Sequence, residues 1–178
     1  MNSIDAIVLS KKKLVLQKWF DLLVNTYPIE TVRMLKKESN QFANPVGHTF
    51  SHALGEIFDE FFQENDLEKM TALLDRIIRI RAVQDFAPSG ALAFIFSLKQ
   101  IAREFLQTEI AEGQVKNEDL SEFDERVDGL ALLAFDVYAR CRENLFEVRI
   151  GEIKNRTHRL LQRAELIAEV PPEKPEAE

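Results

Sequence analysis

The sequence contains few of the residues that redox and metal chemistry usually require. It has one cysteine, Cys141, in 178 residues. An internal disulfide framework and a zinc or iron–sulfur site built from several cysteines are therefore excluded. The six glycines and six prolines leave few positions for tight turns. This scarcity favours a helical protein.

Basic charge and long apolar runs are also scarce. The 23 Lys and Arg residues are outnumbered by 30 Asp and Glu residues, which gives a net charge of −7 and argues against non-specific binding to nucleic acid or anionic membranes. No stretch approaches the ~18 uncharged apolar residues of a membrane span. The early apolar residues precede the basic run Lys11–Lys13, which is the reverse of a signal peptide. We expect a cytoplasmic protein that binds no nucleic acid and does not insert into a membrane.

Apolar residues recur at helical spacing along almost the whole chain. Asn44 followed by Pro45 is a helix-start signal, because asparagine is a good N-cap and proline suits the first helical position. Asp66 and Pro88 mark two further starts, and Pro28 opens a short helix after one that includes Trp19. The pattern predicts an all-α fold.

The last predicted helix, from Leu120 to Ala168, is longer than a compact domain of this size, since it would span roughly 70 Å. Its second half carries apolar residues at heptad spacing. The seam consists of Phe146, Ile150, Ile153, Thr157, Leu160, Ala164 and Ile167. We predict a parallel two-chain seam here, with packing of the helix on its own domain as the alternative. The predicted segments are a domain at 1–145, a protruding coiled-coil-like helix at 146–170 and a disordered tail at 171–178.

Few residues suggest a metal or haem site. His48, His52 and Glu56 follow one another at four-residue spacing, which places them on one helix face. Such a ladder fits either a metal clamp or, more simply, a solvated polar face. Cys141 lies on an apolar stripe and is interpreted as a small buried hydrophobe. The apolar wall with an axial ligand that haem requires is not apparent, and we predict no cofactor and no metal.

Arginines are dense around one apolar helix face. Arg76, Arg79 and Arg81, with Asp85 nearby, suit either an anion or partner carboxylate or internal ion pairs. The aromatic residues Phe50, Phe58, Phe94 and Phe96 are interpreted as core, with the lining of a ligand cavity as the alternative. The sequence has no glycine-rich phosphate loop, no serine-centred elbow and no HExxH. We therefore predict no enzymatic activity.

Several segments, taken in order, resemble one known family. They are Trp19 with Tyr27-Pro28, Phe42 to Thr49, Ile78 to Ser89, Ala91 to Lys99, Ala134 to Tyr138, and Cys141 to Arg149. Together they resemble the RsbRD N-terminal domain family, the sensor domains of stressosome proteins of the RsbR type, which are RsbT co-antagonists. The resemblance covers roughly residues 10 to 160.

The resemblance implies a globin-like helical bundle without haem that forms a homodimer and ends in a long helix leading to an output domain. In RsbR-type proteins that output is a STAS domain with phosphorylatable threonines. No strand-rich segment follows in this sequence, so we expect a stand-alone input module. The resemblance also implies a partner in a signalling or membrane-associated complex, because some stand-alone relatives accompany membrane redox complexes.

The resulting hypothesis is a non-enzymatic dimeric sensor or adaptor module. The alternatives are a haem- or metal-binding globin-like sensor and an accessory subunit that docks on a membrane redox complex. The candidate ligand or partner surface consists of Asn44, His48, Arg79, Arg81, Gln84 and Asp85. The predicted dimer helix uses Phe146, Ile150, Ile153, Leu160 and Ile167.

Overall fold

The computed structural model describes residues 3–37, 41–63 and 66–164, and all of its regular elements in these ranges are helices. The helices are α1 (Ser3–Ser10), α2 (Lys12–Val24), α3 (Ile29–Lys37), α4 (Pro45–Phe62), α5 (Leu67–Val83), α6 (Pro88–Phe105), α7 (Gln107–Ala111) and α8 (Asn117–Arg163). The prediction of an all-α fold with a long C-terminal helix is confirmed. The globin-like arrangement of the bundle stays a prediction.

The start signals in the sequence act as expected. The Asn44 side chain accepts a hydrogen bond from the Gly47 amide at 2.9 Å, and Pro45 opens α4. Asp66 accepts hydrogen bonds from the amides of Glu68 and Lys69 and so caps α5. These caps supply acceptors for amides that the helix itself leaves unpaired. Helix α1 was not predicted, although its residues Ile4 and Val8 are fully buried.

The chain divides into two units, Met1–Arg142 and Glu143–Glu178. In the first unit, α2 packs against α4 and α6, and α5 packs against α4 and α6. At the centre the buried Trp19 indole donates a hydrogen bond of 2.6 Å to the carbonyl of Phe94. This bond satisfies the one polar atom of a large core side chain. It also fixes α2 against α6.

Of the four phenylalanines predicted as core, Phe50, Phe58 and Phe94 are buried. Phe96 is the exception, since it is 49% exposed. It lines a groove of about 630 Å³ that also includes Leu92 and Phe135. The core assignment of Phe96 was therefore wrong, because α6 presents this position to the surface.

Arg126 of α8 ties the N-terminal helix to the bundle. Its guanidinium binds both carboxylate oxygens of Asp5, at 3.0 and 3.1 Å, and donates to the carbonyl of Phe61 at 2.8 Å. It also lies 4.6 Å from the centre of the Phe61 ring. One nitrogen of the guanidinium contacts both Asp5 oxygens while the other binds Phe61, and such charge-assisted hydrogen bonds are stronger than neutral ones. They explain how the short α1 is held in place.

Glu60 joins the end of α4 to the start of α5. Its carboxylate is buried, pairs with Lys69 at 2.5 Å and accepts the Asp66 amide at 2.9 Å. The hydrogen bonds from Lys69 and from the Asp66 amide lower the pKa of Glu60. The contribution of this group to stability is therefore present at neutral pH and is lost as the pH falls through its lowered pKa.

The second unit, as far as residue 164, is the C-terminal part of α8, and its side chains are largely exposed. The predicted extension of the helix beyond 164, the seam residue Ile167 and the predicted tail lie outside the described residues. The predicted boundaries of the three segments stay a prediction. None of the described helices is both long and apolar enough to span a membrane.

The two glycines of α4 make a matched test of the cap. A methyl group on Gly47 would lie 2.6 Å from the Leu35 carbonyl oxygen and 2.8 Å from Cγ of Asn44, whereas one on Gly55 meets nothing within 4 Å. We expect Gly47→Ala to lower the free energy of unfolding by about 1–3 kcal/mol. Gly55→Ala should raise it by up to about 1 kcal/mol, because alanine is the better helix former. Chemical denaturation measures both, and equal effects would contradict this account of the cap.

Candidate functional site

Two of the six predicted surface residues lie at the start of α4. Asn44 is 3% exposed and donates from its amide to the Leu35 carbonyl at 2.8 Å while capping α4. His48 is half-buried, and its ring centre lies 4.0 Å from that of His52. The identity of Asn44 therefore follows from joining α3 to α4. The histidine pair borders a small concavity of about 160 Å³.

Arg81, near the end of α5, is the most unusual of the predicted residues, because its side chain is fully buried. The guanidinium donates to the Gly90 carbonyl at 2.8 Å, to the Thr26 hydroxyl at 2.9 Å and to the Leu23 carbonyl at 3.5 Å. All these acceptors are neutral, and the Nε atom has no hydrogen-bond partner. The Arg81 side chain thus connects the end of α2 with the first turn of α6.

Two aromatic rings partly balance the positive charge of Arg81, whose hydrogen-bond acceptors are neutral. The guanidinium carbon lies 4.2 Å from the Phe86 ring centre and 5.3 Å from that of Tyr27. Such contacts strengthen when the cation is removed from water. Burial lowers the pKa of Arg81, and burial raises the pKa of the Tyr27 phenol against the opposing effect of the nearby cation. The site therefore keeps a neutral phenol beside a buried cation.

The turn between α5 and α6 continues the site. The Tyr27 hydroxyl donates to the side-chain oxygen of Gln84 at 2.8 Å. Asp85 has φ of 57°, a left-handed conformation that costs most residues with a side chain about 1–2 kcal/mol and aspartate less. It is the only residue other than glycine with positive φ in the part of the chain that the structure describes. Backbone strain of this kind persists only where the surrounding contacts enforce it.

Helix α8 supplies two of those contacts. The Tyr138 hydroxyl donates to the Phe86 carbonyl at 2.6 Å. The Arg142 guanidinium donates to the Asp85 carboxylate at 2.9 Å and to the Ala82 carbonyl at 3.2 Å. We name Tyr27, Arg81, Gln84, Asp85, Phe86, Tyr138 and Arg142 the turn cluster. It brings together three of the six predicted surface residues.

Comparison with known proteins places this chain in a family. The sequence model described as the RsbT co-antagonist protein RsbRD N-terminal domain matches residues 14–152, a range that includes every residue of the turn cluster. The chain belongs to the RsbRD N-terminal domain family. This family consists of regulatory sensor domains of signalling proteins. The resemblance found in the sequence is confirmed.

One relative of this RsbRD N-terminal domain is an uncharacterized protein of Archaeoglobus fulgidus. The two are 27% identical over 146 residues, which cover 79% of this chain and 83% of the relative. No solved structure matches the chain.

Four members of the turn cluster were not among the predicted surface residues. Tyr27, Phe86, Tyr138 and Arg142 all lie in the segments that carry the resemblance to the RsbRD N-terminal domain. Their spacing in the sequence gives no sign that they meet, because Tyr27, between α2 and α3, and Tyr138 of α8 are far apart along the chain. Only the packing of α2, α5 and α8 brings them together.

Arg79 lies outside the cluster, on the surface of the RsbRD N-terminal domain. Its side chain is 68% exposed and pairs with Asp75 at 2.7 Å, one turn earlier on α5. Asp75 also accepts a weak hydrogen bond from the Cys141 thiol at 3.5 Å. Burial and the Asp75 carboxylate raise the pKa of Cys141. This cysteine is therefore a poor nucleophile near neutral pH.

A metal centre has little support among the described residues of this RsbRD N-terminal domain. They include no group of three or more His, Cys, Asp or Glu side chains placed to share an ion. Glu56, the third member of the predicted ladder, instead accepts a hydrogen bond from Arg76 at 2.8 Å. The turn cluster contributes cations, phenols and an amide, which suit hydrogen bonding and positioning.

Single substitutions of Arg81 and Arg79 distinguish a buried arginine that stabilises the bundle from an exposed one that is available to a partner. Arg81→Ala leaves a cavity and deprives buried oxygens of their donors, so the free energy of unfolding should fall by about 2–4 kcal/mol. Arg79→Ala removes an exposed pair and should change it by less than about 0.5 kcal/mol. Thermal and urea unfolding check both values. A fully stable Arg81→Ala variant would mean that the buried guanidinium does not hold the bundle together.

Proposed function

We propose that this RsbRD N-terminal domain is a non-enzymatic sensor or adaptor module of a stressosome-type signalling system. In this proposal the α5–α6 turn is the element that changes, and α8 carries the change onward along the chain. The protein is a cytoplasmic homodimer that passes the signal to a protein partner in a signalling or membrane-associated complex. In this proposal the output is made by that partner.

The observation that carries the proposal is the direct link from the strained turn to α8. Asp85 holds an unfavourable backbone conformation, and its carboxylate binds Arg142, the last residue of the first unit. Tyr138, one turn earlier on α8, binds the backbone of the same turn. The helix then continues without a break to Arg163. A change in the turn therefore has a short covalent and hydrogen-bonded route into α8.

Strain gives the turn a reason to have two states. A residue held in the left-handed region is strained, so its conformational free energy falls when the contacts that enforce this conformation are released. Switching requires an element with two arrangements of similar free energy, which a ligand or partner then biases. The Arg81 guanidinium packs on the Phe86 ring and Arg142 binds Asp85, and these contacts hold the turn in the arrangement seen in the structure.

The homodimer is supported by the exposed apolar side chains of the second unit. Phe146 is 52% exposed, Ile150 49%, Ile153 64% and Leu160 57%. These residues repeat at the spacing of a coiled-coil seam. Such a row on one helix is typical of a face that pairs with another helix.

Arg142→Gln tests the link between the turn and α8. Loss of the contacts to Asp85 and Ala82 should speed amide hydrogen exchange several-fold, both at residues 84–87 and at 143–163, because the start of the outgoing helix is no longer anchored. The matched control is Arg140→Gln, an exposed cation on the same helix, which should leave both segments unchanged. An effect confined to the turn would contradict the role of α8 as the output element.

Ile150→Glu tests the dimer. Light scattering should give the mass of two chains for the wild type and of one chain for this variant, because a buried carboxylate in the seam is costly. Val148→Glu, a similar change at a site 59% exposed on the opposite side of α8, should remain dimeric. A wild-type monomer would overturn the homodimer. An absorption spectrum of the same sample tests the haem alternative, since a Soret band would replace the present proposal.

A further inference from the structure

One segment of the second unit differs in charge from the rest of this acidic chain. From Arg149 to Arg163 it contains five basic residues and one acidic residue, Glu152. Lys154, Arg156, Arg159 and Arg163 form no ion pair with a carboxylate within the described residues. A cluster of exposed cations in a protein with a net charge of −7 requires an explanation.

Three of these cations share one flank of the seam. Arg149, Arg156 and Arg163 are seven residues apart, and the first two each precede the seam residues Ile150 and Thr157 by one position. Seven residues are two helical turns, so the three side chains form a column along one side of the apolar row. All three are exposed. We name Arg149, Arg156 and Arg163 the arginine column.

A second copy of the same helix does not neutralise this column. In a parallel pair, the position of Arg149 faces that of Lys154 on the other chain, which places like charges together on both sides. In an antiparallel pair, the column faces itself. In both arrangements the second copy supplies no carboxylate to the column. A dimer built on the seam thus leaves its flanks positively charged and able to bind an acidic surface.

We propose that the arginine column docks an acidic amphipathic helix of a partner protein, whose carboxylates face Arg149, Arg156 and Arg163. The inference rests on the proposed adaptor function and specifies the chemistry of its partner. Charges beside a heptad seam determine which helices associate, because opposite charges pair and like charges repel. The partner adds to the seam of the two copies and neutralises its basic flanks.

Two features favour a helix over an anionic lipid surface as the occupant. The apolar residues follow the 3.5-residue period of helix pairing and form a narrow row. Thr157 places a hydroxyl in the middle of this row, where a polar residue specifies helix register but weakens insertion among lipid chains.

The experiment uses the full chain and three probes. The first is a synthetic helix about four heptads long, with isoleucine and leucine in its seam and glutamate on both flanks. The second has glutamine in place of glutamate. The third is a vesicle of equal parts phosphatidylserine and phosphatidylcholine. Calorimetry measures the affinity for each probe, and light scattering on the same samples gives the oligomeric state.

We expect the glutamate helix to bind at least about tenfold more tightly than the glutamine helix, with the difference shrinking at high salt. Arg156→Glu together with Arg163→Glu should abolish that preference. The matched pair is Arg156→Glu against Arg159→Glu, the same change one turn further along α8 and about 60° further round the helix from the apolar row. The first should weaken binding more than the second.

Three outcomes would overturn the proposal. They are no preference for the glutamate helix, equal losses from Arg156→Glu and Arg159→Glu, and tighter binding to the vesicle than to the helix. Equal losses would show that net charge alone acts, and vesicle binding would assign the column to a lipid surface. A monomer that still prefers the glutamate helix would overturn the homodimer and leave the docking surface intact, so the two failures are distinguishable.

Discussion

The bundle depends on a guanidinium group whose hydrogen-bond acceptors are all neutral oxygens. Removing a cation from water costs several kcal/mol unless other groups replace the lost hydration. For Arg81, the replacements are two carbonyls, one hydroxyl and two aromatic rings. They come from α2 and the segment that follows it, from α6, and from the turn that follows α5. Because no single element supplies enough of them, the arginine can be buried only when all are in place. The ends of these helices are therefore fixed together.

The turn that follows Arg81 takes its shape from this requirement. Phe86 must cover the guanidinium, and its amide bonds back to the Arg81 carbonyl at 3.2 Å. The intervening chain is short, and Asp85 takes the left-handed conformation as it closes. The strain is thus located beside the two α8 residues that bind the turn. The Arg81 side chain both stabilises the core and determines the strained turn. A sensor whose turn changes state therefore has a reason to retain a cation in its interior.

Most of the fold follows from local rules, and most of the candidate site does not. Asn44-Pro45 and Asp66 are caps whose function depends on a few neighbouring residues, so the sequence predicts them correctly. The burial of Arg81 depends on Tyr27, which follows α2, and on Gly90 of α6, and no periodicity in the sequence predicts that these residues meet. Phe96 shows the same limit, because an apolar residue in an apolar helix still becomes exposed when nothing packs over it.

The apolar residues and the charges of the C-terminal helix affect association over different distances. Apolar contacts in the seam are short-range and indifferent to which helix supplies them, so they favour association without selecting a partner. Charges on the flanks act over roughly a Debye length, about 8 Å at physiological salt, and they discriminate between partners before contact. A column of arginines beside a seam therefore disfavours basic partner helices and selects acidic ones. An adaptor that passes its signal to a separate protein needs such selectivity, because the signal has an effect only when the correct partner receives it.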